Sequence, residues 1–262
     1  MTGVPGWPYP RVLAHRGGGT LAPENTIAAI KVGLAYGFRG VEFDAMLAAD
    51  QVPVLMHDPT LERTGRVSAA ISELAATQLE RTDVGGWHSA RFAGETVPTL
   101  ERTLRFCRDH DIWPNIEIKP SPGQEADTGA AVARITYTMY ADLIREGGAR
   151  AEQVDPRVPL LSSFAPEALI AARKAQANLP LGWLVDRVPP DWQSTLARLD
   201  CVCLHTNHTY LTAQQVIAVK TAGVWLFCYT VNSPQRARNL LGWGVDAVCT
   251  DAIDQIPADL SD

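Results

Sequence analysis

Residues that can bind a metal ion, hold a phosphate group or move a proton stand at the ends of four strand-like segments of this 262-residue chain. They are His15, Arg16, Glu42, Asp44, His57, Glu117 and Lys119. Because side chains alternate across a strand, Glu42 and Asp44 point to one face of their segment, and Glu117 and Lys119 point to one face of theirs. Carboxylates, imidazoles and cations gathered in one place are suited to the metal-assisted cleavage of a phosphate ester.

The charges of this set predict a divalent cation at its centre. An ionised carboxylate taken out of water costs several kcal/mol unless it meets an opposite charge, and the set holds three acids against two cations. One divalent ion reverses the sign of the net charge, which becomes positive and matches a singly charged phosphodiester. The sequence therefore predicts a metal-dependent activity on a small phosphodiester.

The composition excludes several other classes of function. A net charge of −6 and an isoelectric point near 5.5 exclude general nucleic-acid affinity, which depends on clustered lysine and arginine. No run approaches the roughly 20 apolar residues of a membrane helix, so no stable membrane association is expected. Residues 1–10 contain three prolines and no apolar run, unlike a signal peptide, and a cytoplasmic location is predicted. The five cysteines lack zinc-like pairing and are expected to be buried, reduced thiols.

Strand-like and helical patterns alternate along the chain and must position the polar set. Strands are predicted at 11–16, 40–47, 52–56, 115–119, 159–164, 179–185, 201–205, 224–231 and 245–250. Helical patterns cover 27–37, 128–144, 166–175, 191–199, 213–222 and 234–241. This alternation is typical of an α/β protein with a parallel sheet.

The spacing of the second and third strands decides between an open sheet and a barrel. Residues 48–51 leave only four residues between these strands, whereas a parallel crossover needs roughly a dozen, so the two must form an antiparallel hairpin. Eight strands then remain for a (β/α)8 TIM barrel, with active residues at their carboxyl ends. We expect residues 1–262 to form one domain, with 58–100 as an insertion whose Trp87 and His88 form either part of a lid or simple loop packing.

Short motifs occur in the order found in the glycerophosphodiester phosphodiesterase family, which the chain resembles. They are His15-Arg16-Gly17, residues 23–26, Glu42-x-Asp44, His57-Asp58, Glu117-Ile118-Lys119, Ser163-Phe164, residues 230–232, residues 244–246 and Thr250-Asp251. The resemblance runs from about Arg11 to Ile256 and is strongest to cytoplasmic bacterial members linked to glycerol 3-phosphate uptake. It implies a barrel of the phospholipase-C-like phosphodiesterase type.

The resemblance also implies an activity, the hydrolysis of glycerophosphodiesters such as glycerophosphocholine and glycerophosphoethanolamine to sn-glycerol 3-phosphate and an alcohol. By motif position, the catalytic pair is His15 and His57, the metal ligands are Glu42, Asp44 and Glu117, and the phosphate clamp is Arg16 and Lys119. Either histidine can be the acid, and the nucleophile is either water or the neighbouring glycerol hydroxyl, which gives a cyclic phosphate first. One divalent metal is expected, and a cytoplasmic location favours Mg²⁺ over Ca²⁺.

Other residues have two readings from sequence alone. Phe164 and Tyr229 follow strands, where they either wall a substrate pocket or pack against the barrel rim. His205 and His208 fit one pocket-facing and one loop histidine better than a second metal site.

Glu24 and Asn25 stand where a helix opens, and capping or fixing of the loop is the more common duty there than contact with substrate.

Two other function classes match parts of the pattern. A binding or regulatory protein would keep the pocket but lack an acid, a base or a ligand, and none is missing from the motifs. A membrane phospholipase built on the same barrel would add an apolar rim or a basic face, which a net charge of −6 does not favour. Hydrolysis of a small phosphodiester is therefore the preferred interpretation.

Overall fold

Eight parallel strands close into a barrel in the computed structural model, which describes residues 6–144 and 155–260. The strands in chain order are β1 (Val12–Ala14), β2 (Gly40–Leu47), β3 (Pro53–Leu55), β4 (Trp113–Ile118), β5 (Leu160–Ser163), β6 (Leu181–Val185), β7 (Cys203–Asn207), β8 (Trp225–Tyr229) and β9 (Ala247–Thr250). Their order in the sheet is β1-β9-β8-β7-β6-β5-β4-β2-β3, and pairing of β1 with β2 closes it. The predicted (β/α)8 barrel is confirmed.

The antiparallel hairpin is confirmed as well. Among the strands of the described residues, β3 pairs with β2, with Ala45 opposite Leu55, and its other side meets only an isolated bridge from Val54 to Thr99, so it lies outside the closed ring. Gln51 in the connecting turn has a left-handed backbone with φ of 63°, a conformation that tight turns require. The hairpin returns the chain to the carboxyl end of β2, where His57 follows it.

Helices surround the barrel between its strands. They are α1 (Ile27–Ala35), α2 (Ala76–Leu79), α3 (Leu100–Asp109), α4 (Glu125–Tyr140), α5 (Pro166–Ala175), α6 (Trp192–Leu199), α7 (Ala213–Thr221) and α8 (Pro234–Trp243). The prediction omitted α3, half of whose residues are charged, although its Leu100, Leu104 and Cys107 form a buried stripe. The structure also starts α4 before the predicted residue 128, because Glu125 and Asp127 complement the positive end of the helix dipole.

Two strand boundaries also differ from the prediction. β1 ends at Ala14, and His15 to Gly17 form a 3-10 turn instead of the predicted continuation. β4 begins at Trp113, two residues earlier than predicted, and includes Pro114. Proline is tolerated there because the Trp113 N–H donates toward β2, so the Pro114 nitrogen faces β5, whose pairing with β4 starts one residue later.

The segment 58–100 packs on the outside of the hairpin around a small core of its own. Leu61, Ile71 and Leu79 are fully buried there against Met46 and Val54 of β2 and β3. A side-chain contact ties the segment to the barrel helices as well, because Glu95 accepts a hydrogen bond from the backbone N–H of Ala28 in α1. The segment is therefore held firmly beside the carboxyl end of the barrel.

Four aromatic side chains close the amino end of the barrel. This aromatic plug consists of Trp7, Tyr9, Trp113 and Trp225. The Tyr9 and Trp113 rings stack with centroids 4.1 Å apart, and the Trp7 ring meets Trp225 edge-on at 5.4 Å. Such aromatic contacts add about 0.5–1.5 kcal/mol each to the burial of the rings.

The cysteines and the helix lengths are two further features of the described residues. All five cysteines lie in the described ranges as free thiols, four of them buried and Cys201 partly exposed. Among the described residues, no helix is long and apolar enough to cross a bilayer.

Candidate active site

Three carboxylates meet at the carboxyl end of the barrel. Glu42 and Asp44 project from β2, and Glu117 projects from the neighbouring β4, where it lies directly opposite Asp44 in the register. One oxygen from each side chain lies within 4.8 Å of the other two. Glu42 is 6% exposed and Asp44 is 2% exposed, so the alternation predicted for β2 and β4 does direct these acids inward.

Burial makes it costly for all three carboxylates of the cluster to be ionised together. Burial, reinforced by the negative charge of Asp44, raises the pKa of Glu42 to about 7 and the pKa of Glu117 to about 8. Burial also acts to raise the pKa of Asp44, but Lys119 and Arg16 outweigh it and lower that pKa. Three convergent oxygen donors, two of them reluctant to ionise alone, fit a hard divalent cation, which would remove the penalty of their charge.

Two cations flank this acidic cluster. Arg16 Nε lies 3.5 Å from Asp44 Oδ2, and Lys119 Nζ lies 3.3 Å from Asp44 Oδ1 and 3.5 Å from Glu117 Oε1. Both side chains are mostly buried, so solvent screens their charge only partly. The pair leaves two positive charges at the edge of the cluster, where a phosphate group has access.

A tight turn after β1 places Arg16. Its backbone is left-handed with φ of 50°, and Gly17 follows with φ of 91°. A side chain at Gly17 would bring its Cβ to 2.9 Å from Ile30 of α1, so glycine lets the helix approach the turn closely. The Arg16 N–H donates to Glu42 Oε2 at 3.2 Å, which ties the turn to the cluster.

Asn25 has a role that the sequence interpretation did not assign. The cap of α1 is Thr26, whose hydroxyl accepts from the Ala29 N–H. Asn25 instead donates from Nδ2 to Asp44 Oδ2 at 2.8 Å, and its Oδ1 accepts from the Asp44 N–H. Asn25 therefore does not cap the helix, but it does fix the loop before α1, and its side chain orients an acid of the cluster.

His15 is oriented by a carboxylate from the last strand. Its Nδ1 lies 2.5 Å from Oδ1 of Asp251, directly after β9, and its Nε2 lies 3.8 Å from Glu42 Oε2. Asn232 fixes Asp251 in turn by donating to its Oδ2 at 3.0 Å. Burial opposes a charged imidazole, but the hydrogen bond to Asp251 and the charge of Glu42 outweigh it and raise the pKa of His15.

His57 has a carboxylate partner of its own, the adjacent Asp58. The distance from His57 Nδ1 to Asp58 Oδ1 is 2.7 Å, and Arg63 Nε donates to the second oxygen of Asp58 at 2.6 Å. Burial lowers the pKa of His57, and the positive charges of Arg16 and Lys119 act in the same direction. The two histidines are thus held alike at Nδ1 but differ in the direction of their pKa shifts.

Four residues around this site were absent from the predicted set. Asp251 and Asp58 stood inside the quoted motifs, and their positions next to a strand end and a histidine were the available signals. Glu24 accepts from Arg16 Nη1 at 2.7 Å, a contact that a helix-capping role did not anticipate. Arg63 carried no signal in the sequence, because it lies within the insertion.

Two cavities open beside the acidic cluster, in addition to a smaller one of about 40 Å³ that His15, Glu42 and Glu117 line. One, of about 420 Å³, lies between His15, Asp251 and the insertion residues Trp87 and His88. Since His88 Nε2 also lies 3.0 Å from the Thr20 carbonyl oxygen, the insertion forms a wall of this cavity.

The second cavity, of about 310 Å³, lies between Lys119, Glu125 and Phe164. Phe164 is 46% exposed and meets the Tyr229 ring edge-on, with centroids 5.9 Å apart. The Tyr229 hydroxyl donates to the Val185 carbonyl oxygen, so only its ring is presented at the barrel mouth.

His205 and His208 do not take part in the acidic cluster. His205 is fully buried inside the barrel and stacks on Phe227 with centroids 4.6 Å apart, and burial lowers its pKa to about 3. His208 lies beyond β7, with its Nδ1 3.4 Å from Arg236 Nε. Within the described ranges, neither belongs to a group that could hold a metal ion.

Comparison with known proteins identifies the family. The family model described as "Glycerophosphoryl diester phosphodiesterase family" matches residues 15–255. The chain is 30% identical over 246 residues to a glycerophosphodiester phosphodiesterase of Caldanaerobacter subterraneus, a match that covers 92% of this chain and 93% of that protein.

Solved structures agree with this match. A phosphodiesterase from Oleispira antarctica, in complex with the product sn-glycerol-3-phosphate, superposes with a TM-score of 0.80 at 32% identity and covers 93% of both chains. A putative glycerophosphoryl diester phosphodiesterase from Silicibacter pomeroyi gives a TM-score of 0.78 at 25% identity, covering 96% of this chain and 93% of that one. This chain therefore belongs to the glycerophosphoryl diester phosphodiesterase family, and its activity is that of a glycerophosphodiester phosphodiesterase.

Proposed function

We propose that this enzyme hydrolyses glycerophosphocholine, glycerophosphoethanolamine and related glycerophosphodiesters to sn-glycerol 3-phosphate and an alcohol, with one divalent metal ion and two histidines. The observation that carries the proposal is the meeting of three buried carboxylates with two imidazoles, each held at Nδ1 by its own carboxylate. The complex of the Oleispira antarctica phosphodiesterase with sn-glycerol-3-phosphate supports this product.

Glu42, Asp44 and Glu117 would hold the metal ion. Bound there, it would supply positive charge to the phosphate oxygens as negative charge develops on them. Mg²⁺ is proposed in preference to Ca²⁺ because a few carboxylates, together with substrate oxygens, make the kind of site that Mg²⁺ occupies.

Arg16 and Lys119 bind the phosphate. Their positive charges lie on either side of Asp44, so one phosphodiester group can accept hydrogen bonds from both. Charge-assisted bonds to oxygens that become more negative in the transition state stabilise it more than the ground state. Loss of either cation is therefore expected to reduce kcat as well as binding.

The surroundings of the two histidines support different roles for them. Asp58 shares its charge with Arg63, and Arg16 and Lys119 act on His57 as well, so a neutral imidazole is favoured there. His57 is then the base that removes a proton from the attacking oxygen. Asp251 instead favours a charged imidazole at His15, which is then the acid that protonates the leaving alcohol.

Release of glycerol 3-phosphate tests the proposal. The wild-type enzyme is assayed with glycerophosphocholine and glycerophosphoethanolamine, before and after chelation and after return of Mg²⁺ or Ca²⁺. We expect chelation to abolish turnover and Mg²⁺ to restore more of it than Ca²⁺ does. Undiminished turnover after complete chelation would reject the role of the metal.

A matched pair of variants locates the requirement. Glu42→Ala removes a proposed ligand and is expected to lose turnover by roughly 1000-fold or more, since a metal supplies several kcal/mol of transition-state stabilisation. Glu101→Ala removes an acid on α3 that is 53% exposed, and it should retain full activity. Equal activity of the two variants would contradict the assignment of the cluster.

A further inference from the structure

Arg63 of the insertion joins the two sides of the active site. Its Nε donates to Asp58 Oδ2 at 2.6 Å, and Asp58 in turn holds His57. Its two terminal nitrogens donate to the two oxygens of Glu24 at 2.6 and 2.7 Å, and Glu24 accepts from Arg16. A single guanidinium thus connects Asp58, which holds His57, to Glu24, which holds Arg16.

The backbone that carries Arg63 is fixed by its neighbours. Leu61 is fully buried in the core between the insertion and the hairpin, and Thr64 is 3% exposed, with its hydroxyl directed to Met56 of the hairpin. The Arg63 guanidinium also lies 5.7 Å from the centre of the Trp87 ring, which walls the cavity beside His15. The backbone of Arg63 is therefore anchored by buried neighbours, so its side chain reaches its partners from a fixed position.

The donors of Arg63 are directed to carboxylates and not to the place of the substrate. All three of its nitrogens donate to oxygens of Asp58 or Glu24. Its planar fork matches Glu24 in the bidentate geometry that lysine cannot reproduce. A direct role in phosphate binding would require these bonds to break.

We propose that Arg63 is a positioning residue, which holds Asp58 and Glu24 at a fixed separation and thereby aims the His57 imidazole and the Arg16 guanidinium at one phosphate. This inference rests on the proposed function, because it assigns Arg63 to the reaction of His57 and Arg16. In the ion-paired arrangement, Asp58 accepts from His57 Nδ1–H, which leaves Nε2 free to take a proton. The nearest precedent in physical terms is the partner of a metal-bound histidine, whose loss costs about 10- to 100-fold.

Kinetics of Arg63 variants with glycerophosphocholine test the proposal. We expect Arg63→Ala to lower kcat about 10- to 100-fold while KM stays within about twofold, because the contact to substrate is indirect. Millimolar ethylguanidinium should restore part of the kcat of Arg63→Ala and leave the wild type unchanged. Arg63→Lys keeps the positive charge but lacks the planar guanidinium, so its kcat should lie between those of Arg63→Ala and the wild type.

Arg81→Ala is the control, because Arg81 is an exposed arginine of the same insertion. It should keep wild-type kcat and KM. A rise in KM at unchanged kcat in Arg63→Ala would overturn the proposal in favour of direct substrate binding. A loss of kcat that guanidinium does not restore and that follows the loss of folded protein would overturn it in favour of a purely structural role.

A spectroscopic measurement separates this inference from the proposed function. In ¹⁵N-histidine spectra at pH 8, with His57 identified by its absence in His57→Gln, the wild type should show the Nδ1–H tautomer and Arg63→Ala a mixture of tautomers. An unchanged His57 spectrum in Arg63→Ala would overturn the role of Arg63. A wild-type enzyme inactive on every glycerophosphodiester would reject the proposed function, while these spectra still decide whether Arg63 orients His57.

Discussion

The two ends of the barrel are built from opposite kinds of residue, although the same strands supply both. β4 begins with Trp113 in the aromatic plug and carries Glu117 of the acidic cluster next to its last residue. β8 likewise begins with the fully buried Trp225 and ends with Tyr229 at the open mouth. Inward-facing positions along one strand thus change from large and apolar to polar over a few residues.

The difference teaches where burial stabilises the protein and where it serves chemistry. The aromatic plug gains free energy by removing four large rings from water. The acidic cluster loses free energy by burying carboxylates, as the raised pKa values of Glu42 and Glu117 show. One end of the barrel contributes stability that offsets the cost of a charged site at the other.

The largest loss of activity is expected when either His15 or His57 is removed from the carboxyl end of the barrel. We expect His15→Ala and His57→Ala each to lower kcat by about 10²- to 10⁴-fold, the usual contribution of general acid–base catalysis, without loss of unfolding free energy. His110→Ala, at an exposed histidine on the amino-terminal side of β4, is the control and should turn over normally. Normal turnover of His57→Ala in steady-state assays would contradict the assignment.

Truncation of a side chain in the aromatic plug should lower stability and leave activity unchanged. Trp225→Ala is expected to lower the free energy of unfolding by about 3–5 kcal/mol because it leaves a cavity beside the Trp7 and Tyr9 rings. The kcat and KM of the folded fraction should not change. In urea denaturation, Trp243→Ala, at a ring that is 37% exposed, should lose less than half as much. Equal losses would show that the plug has no special place in stability.

Metal binding should be linked to protons at the acidic end. Because burial raises the pKa of Glu42 to about 7 and that of Glu117 to about 8, both carry protons at lower pH, and a metal must displace them. The affinity for the metal ion should therefore rise with pH up to about 8 and level off above that pH. The rise should be at most about tenfold per pH unit for each proton that the metal displaces. Calorimetry in two buffers of different ionisation enthalpy counts the protons released, and a count of zero at pH 7 would refute this linkage.

The smallest effect is expected at the rim of the mouth. Phe164 is 46% exposed, so Phe164→Ala should raise KM only a few-fold, within about 1 kcal/mol of binding energy, with stability unchanged. Phe164→Leu should retain most of the affinity if apolar contact alone matters. A loss of kcat above tenfold in Phe164→Ala would place this ring nearer the reacting atoms than its exposure indicates.

Local sequence patterns were sufficient for the order of the strands and for the strand ends at which the seven polar residues stand. Alternation along β2 and β4 correctly directed Glu42, Asp44 and Glu117 to one face, and the short link before β3 correctly required a hairpin. The helix α3 was missed because its charged surface hides a narrow buried stripe. The contact of Asn25 with Asp44 was not predicted, because a capping signal next to a helix looks the same whether or not the side chain reaches Asp44.

The sequence by itself determined the barrel and the edge at which its polar residues gather, because strand period, turn spacing and residue type are local properties of the chain. Only the tertiary structure decided how those residues are held. His15 meets Asp251 across 236 positions of sequence because closure of the barrel pairs β1 with β9. Arg63 reaches Asp58 and Glu24 because the insertion packs on the hairpin, and long-range packing of that kind leaves no periodic signature in the chain.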